Sequence, residues 1–188
     1  EREWRAVRGP QVGAVFQDPA SYLNPAIRVG AQLEEVLRVT AGVARRDTRA
    51  RARELLDSLG LRDVDVVLRR RVGELSGGML QRVLIAMALA ADPAVLIADE
   101  ATTALDVTVQ AELLDLLRTL RAERGLALIL VSHDLAVVSQ VCERVLVFRD
   151  GAIVEGGATA RILRAPGHPY TKELLAAHGE YGLERYLA

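Results

Sequence analysis

The sequence predicts an α/β fold, and three observations carry that expectation. Two short, wholly apolar runs, Val95-Leu96-Ile97-Ala98 and Leu126 to Val131, have the composition of strands buried on both faces of a parallel sheet. Around them, apolar residues recur at helical spacing. Further on, Arg144 to Phe148 and Ala152 to Glu155 flank Asp150-Gly151, a two-residue hairpin signal. Strand–helix alternation closed by a hairpin is the pattern of a layered α/β domain.

Taken in order, Gln11 to Phe16 is a short apolar strand. Gln17 to Pro25 carries two prolines among Asp, Ser and Asn, which predicts a loop. Residues 28–70 read as helical, with Val29, Leu33, Val36 and Leu37 on one face. After Gly42 comes an arginine-rich helix with Leu55, Leu56 and Leu59 inward and Gly60 just past its end. Arg45, Arg46, Arg49, Arg51 and Arg53 interleave with Asp47, Glu54 and Asp57, which predicts a solvated face rather than a nucleic-acid surface. A further helix is expected from about Met79 to Ala91, with Leu80, Val83, Leu84 and Met87 buried, and Asp92-Pro93 stops it. Val107 to Arg124 is a helix with Leu113, Leu116, Leu117 and Leu120 inward. Leu135 to Glu143 is a shorter one.

The bulk properties exclude several classes. The 188 residues suffice for a domain with a core, and 51% are hydrophobic, which argues against disorder. No apolar run approaches the roughly 20 residues of a membrane helix. Glu1-Arg2-Glu3-Trp4-Arg5 does not read as a signal peptide. A net charge of −1 supplies no global attraction to nucleic acid or membrane. Cys142 is the only cysteine, so no internal disulfide forms and a cysteine metal site is not expected. These properties predict a cytosolic, water-soluble protein.

Two stretches carry chemistry. In Leu75-Ser76-Gly77-Gly78-Met79-Leu80-Gln81-Arg82 a polar turn runs into an apolar helix. Ser76 can cap that helix, and two glycines let an anion approach the free N–H groups at its positive end. In Asp92 to Glu100 an apolar strand ends in Asp99 and Glu100, at the edge where ligands gather in open parallel sheets. Adjacent carboxylates raise one another's pKa unless a cation sits between them.

These stretches, followed by Ala104-Leu105-Asp106 and Ser132-His133-Asp134, resemble the ATP-binding-cassette (ABC) ATPases. The resemblance implies a P-loop NTPase-like (RecA-like) sheet core with an inserted helical subdomain. Residues 1–25 would hold the Q-loop, 26–92 the helical subdomain with the signature motif, and 93–160 the Walker B, D-loop and H-loop core. Residues 161–188 would form a C-terminal tail. It further implies ATP and Mg²⁺ as cofactors. Asp99 and Gln17 would serve the Mg²⁺, Glu100 the attacking water, and His133 the γ-phosphate. Gln17, Ser76, Gly77, Gly78, Gln81 and Asp106 would be the nucleotide-binding residues.

A Walker A sequence, Gly-x-x-x-x-Gly-Lys-[Ser/Thr], does not occur here. Lys172 is the only lysine and follows no glycine loop. The expectation is therefore the later part of an ABC ATPase, lacking its N-terminal portion and inactive alone. Phe16-Gln17-Asp18-Pro19, Leu23-Asn24-Pro25, Thr102 to Val107 and Gly167 to Leu175 are similar to the importer branch for peptides and nickel. Met79 and the tail His178 to Glu184 point within that branch to the nickel-import ATPase. His168 and His178 alone do not make a nickel site. The implied partners are a second ATPase subunit, identical or not, packed head to tail, transmembrane permease subunits, and indirectly an external solute-binding protein. No nucleic acid is implied. The implied place is the cytoplasmic face of the cell membrane, held peripherally. Ala101 departs from the family's usual proline. The alternatives are a catalytically inactive remnant or regulatory domain, or an ABC-type DNA-repair ATPase, which would need coiled-coil heptads that are absent from these residues.

Overall fold

The computed structural model describes residue 4, residues 7–102 and residues 105–179. Thr103, Ala104 and the tail from residue 180 onward lie outside the described residues. The chain forms two compact units, Glu1–Val131 and Ser132–Ala188.

The first unit is built on a parallel sheet of three strands, β1 (Val12–Val15), β2 (Val95–Asp99) and β3 (Ala127–Val131), in the order β1-β2-β3. Each parallel pair needs a long crossover, and helices supply it. They are α1 (Val29–Thr40), α2 (Thr48–Ser58), α3 (Val64–Arg69), α4 (Gly77–Leu89) and α5 (Val107–Arg124). The register sets Val15 beside Ala98 and Ala98 beside Leu130, so these side chains share one face. That face joins Leu33, Leu37, Leu56, Ile85, Leu89, Leu113 and Leu117 in a single core. Burying each such leucine contributes about 1.5–3 kcal/mol. α4 lies close on β1. A Cβ on Gly13 would stand 2.5 Å from the Ala88 carbonyl oxygen, so glycine is required there.

The opposite face corrects the expectation of doubly buried strands. Ala14 is exposed, and Ile129 and Val131 are 52% and 48% exposed. Among the described residues the helices cover one face, and the alternation of side chains leaves the other open. The helices also start and stop differently from the sequence expectation. The run 28–70 divides into α1, α2 and α3, with Gly42 and Gly60 at φ +66° and +72° between them. α4 begins at Gly77 rather than Met79, because Ser76 is the cap and both glycines form the first turn. It ends at Leu89, before Asp92-Pro93. On α5 Leu113, Leu117 and Leu120 are buried as expected, but Leu114 is buried as well and Leu116 is only half-buried.

The arginine face of α2 is solvated as expected. Arg49 reaches Glu34 and Asp65 at 3.4 Å each, Arg51 reaches Glu54 at 3.1 Å, and Arg53 reaches Asp65 at 3.0 Å. Such exposed pairs contribute roughly 0–1 kcal/mol apiece.

The second unit contains α6 (Leu135–Val141), the antiparallel pair β4 (Arg144–Arg149) and β5 (Ala152–Ala158), α7 (Thr159–Arg164) and α8 (Pro169–Gly179). Asp150 and Gly151, at φ +51° and +79°, make the expected tight turn. Glu155 of β5 holds the approach to α8. Its carboxylate accepts from Gly167 N–H at 2.8 Å and His168 N–H at 3.1 Å, and lies 3.6 Å from Arg161. The Gly167 N–H above all, then the Thr171 hydroxyl, the His168 N–H and the Arg161 charge hold its pKa down at about 2, against a small opposing cost of burial. The Thr171 hydroxyl contributes from a position outside ordinary hydrogen-bond geometry. Arg149 stacks its guanidinium on the Tyr170 ring, 4.7 Å from the centroid.

Candidate functional site

The start of α4 is a low-energy helix N-terminus. Ser76 has extended backbone angles, and its Oγ accepts from Met79 N–H at 3.3 Å. This satisfies one orphan donor and leaves others directed outward. Gly77 is exposed, and an added Cβ would meet only Leu105 Cδ2 at 3.7 Å. Gly77 is therefore an open surface where an anion can come close to the backbone. Gly78 differs. Its Cβ would stand 2.6 Å from Val109 Cγ1 on α5. Glycine at this position lets α4 and α5 approach, which the anion reading of the sequence did not anticipate.

Gln81 also departs from expectation. It is 1% exposed, and its Nε2 has no partner among the described residues. It faces the core on the inward side of α4 rather than the surface. Its neighbour Arg82 does the fastening. Arg82 donates from Nη1 to the Leu59 carbonyl at 2.7 Å and pairs through Nη2 with Glu112 at 2.9 Å. α4 is thus tied to the end of α2 and to α5. Sequence reading had no signal for this role, because Leu59 and Glu112 lie 23 and 30 residues away.

Asp99 closes β2 opposite Val131, and Glu100 follows at φ +51°. Among the described residues the other non-glycine positions with positive φ are Asp63, Asp92 and Asp150. Aspartate tolerates that region, whereas for glutamate it costs about 1–2 kcal/mol. The Glu100 N–H donates to the Val131 carbonyl at 3.0 Å, which fixes the strained turn to the end of β3. Ala101 and Thr102 behind it are 4% and 3% exposed. Asp106 caps α5 by accepting from Val109 N–H at 3.0 Å.

Gln17 lies exposed, two residues past β1. Since β1 and β2 run parallel in register, Gln17, Asp99 and Glu100 emerge at the same end of the sheet. The loop after Gln17 is pinned. Phe16 stacks on Tyr22 at 4.8 Å, and Asp18 caps the short turn Pro19–Tyr22. Gln32 of α1 donates to the Asn24 and Ile27 carbonyls at 3.0 Å each. His133 belongs to the second unit and is exposed, between Ser132 and the helix cap Asp134.

Among the described residues no three His, Cys, Asp or Glu side chains converge as a metal site. One carboxylate and an amide oxygen at a sheet end still suit Mg²⁺, which keeps its waters and is shared with phosphates.

The profile of the family described as "ABC transporter" matches residues 1–103. The chain is 45% identical over 187 residues to a protein of Escherichia coli named a probable D,D-dipeptide transport ATP-binding protein, covering all of this chain and 57% of that one. It is 47% identical over 186 residues to a putative peptide import ATP-binding protein of Brucella melitensis, covering 97% of this chain and 54% of the relative. A glutathione import ATP-binding protein of Salmonella typhimurium is 44% identical over 98% of this chain and 30% of its own length. The chain thus spans about half or less of the curated relatives it matches. A solved dimeric ATP-binding cassette in a post-hydrolysis state with ADP and Pi superposes with a TM-score of 0.72 at 30% identity, over 85% of this chain and 67% of its own. The sheet and helices share the fold expected from the sequence. With the profile covering more than half of it, the chain belongs to the ABC transporter family.

Proposed function

We propose that this chain is part of an ATP-hydrolysing subunit that powers import of a peptide-like solute across the cell membrane, from its cytoplasmic face. One observation carries the reading. A single compact unit holds both a Ser76-capped, Gly77-opened helix start and a parallel strand ending in Asp99 and Glu100. The first suits a phosphate, the second a hydrated cation and a water. The names of the three relatives favour a peptide over nickel.

Phosphoryl transfer asks the protein mainly for positioning and charge stabilisation. Bound Mg²⁺ would neutralise the phosphates. Asp99 and Gln17 are the groups that would hold it. Glu100 would orient the attacking water and take its proton. His133 would contact the γ-phosphate. Ser76 and Gly77 would face the nucleotide of a second ATPase subunit packed head to tail, with Asp106 crossing the same boundary and Gly78 keeping the α4 start in place. Gln81, being buried, would act only through α4. Transmembrane permease subunits and an external solute-binding protein complete the assembly. We read residues 26–92 as the part of the first unit that meets the permease subunits.

Among the described residues no helix is long and apolar enough to cross a membrane. The test is ATP turnover by the full-length protein assembled with its membrane subunits. Asp99→Asn should weaken both nucleotide affinity and turnover. Ser76→Arg should leave ATP binding to each subunit intact while blocking closure of the pair. Unchanged turnover in both variants would overturn the assignment.

A further inference from the structure

Among the polar contacts that the mechanism proposed above does not use, one lies two residues from Glu100. Gln110, on the second turn of α5, donates from Nε2 to Thr102 Oγ1 at 3.3 Å. Thr102 is 3% exposed and stands two residues after Glu100. Its carbonyl also accepts from Leu105 N–H at 3.2 Å. Thr102 is therefore held by Gln110 of α5 and by Leu105 just before that helix.

The geometry on either side gives this contact a consequence. Glu100 sits in a left-handed conformation that its own side chain does not favour. Such a residue persists only where its surroundings over-determine it. One restraint is the Glu100 N–H bond to Val131. A second acts from the C-terminal side, through the buried Ala101 and Thr102. The start of α5 is itself fixed, by the Asp106 cap and by Val109 packing against Gly78 of α4.

We propose that Gln110 is a positioning residue for Glu100. Its bond to Thr102 ties the strained turn to α5, so that a shift of the α4–α5 pair moves the Glu100 carboxylate. The inference rests on Glu100 acting on the attacking water, as proposed above. It names a residue outside those assigned above to nucleotide, cation and water.

The test uses the full-length protein in its transporter complex. Gln110→Leu and Thr102→Val keep the shape and remove the bond. Each should lower kcat for ATP about 3–10-fold, the effect of one modest hydrogen bond. KM for ATP should stay at its wild-type value. Thr102→Ser keeps the acceptor and should keep kcat. The double variant Gln110→Leu/Thr102→Val should be no slower than the slower single variant, because both remove the same contact.

Several results would overturn the proposal: wild-type kcat in either single variant, losses that multiply in the double variant, or a fall in kcat matched by a rise in KM. A Glu100→Gln control separates the two readings. If it is inactive while Gln110→Leu turns over normally, only the positioning role falls. If Glu100→Gln itself turns over normally, the assignment of Glu100 fails and this inference falls with it.

Discussion

The start of α4 and the end of β2 are both suited to the phosphate end of a nucleotide, yet they are built in opposite ways. At α4 every local preference agrees. Ser76 is a good cap, its angles are ordinary, and Gly77 opens the surface. At β2 a local preference is violated. Glu100 occupies a region that glutamate avoids, and its N–H bond to the Val131 carbonyl holds it there. A binding surface for a phosphate can be made by short-range rules, because it needs only free N–H groups and room. A carboxylate aimed at one water needs a fixed direction, and remote contacts provide it.

Four experiments sharpen or break this contrast. The largest effect is expected at Glu100. In the full-length protein Glu100→Gln should lower ATP turnover about 10²–10⁴-fold, the typical cost of losing a positioned base. Nucleotide affinity should hold or rise, since a negative charge near the triphosphate is lost. Turnover at the wild-type rate would end the view that the strained end of β2 is the chemical one.

The second tests why Gly78 is glycine. An alanine there would press on Val109, so Gly78→Ala should destabilise the fold by about 1–3 kcal/mol in denaturant titration. Adding Val109→Ala should recover much of that loss. If stability is unchanged while nucleotide-dependent closure of the pair is lost, Gly78 serves the anion and not the helix packing.

A smaller loss, about 1 kcal/mol, is expected for Ser76→Ala, which removes only the cap. Equal stability in thermal melts would show that α4 starts well without it.

The last prediction concerns the second unit, where a long-range contact again positions a segment. The Glu155 pKa is lowered to about 2, so its charged form is favoured in the folded state. That contribution is fully present above the ordinary carboxylate pKa of 4.5 and is lost as pH falls from there toward 2. Glu155→Gln should therefore melt lower than wild type at pH 6, with the gap closing toward pH 2. A gap that does not change with pH would assign the effect to packing rather than charge.

Sequence reading reached much of this molecule because the relevant forces are local or periodic. Leu33, Leu37, Leu55, Leu56 and Leu59 face the core because they recur at helical spacing, and all are buried. Asp150-Gly151 makes its turn because glycine and aspartate accept positive φ. The cap at Ser76, the end of β2 at Asp99-Glu100 and the solvated arginines of α2 follow from the same short-range logic.

Tertiary structure alone decided the rest. Ile129 and Val131 read as buried, yet which face of β3 the helices cover is a matter of layer packing. The sheet's two-residue alternation is blind to that choice. Arg82 fastens three helices, and Gln81 turns to the core, because residues far apart in the chain meet there. No local pattern in the sequence places Glu100 in a left-handed turn. The chain around Glu100 favours other angles, and the Val131 carbonyl at the end of β3, with the buried Ala101 and Thr102 behind the turn, acts against that preference.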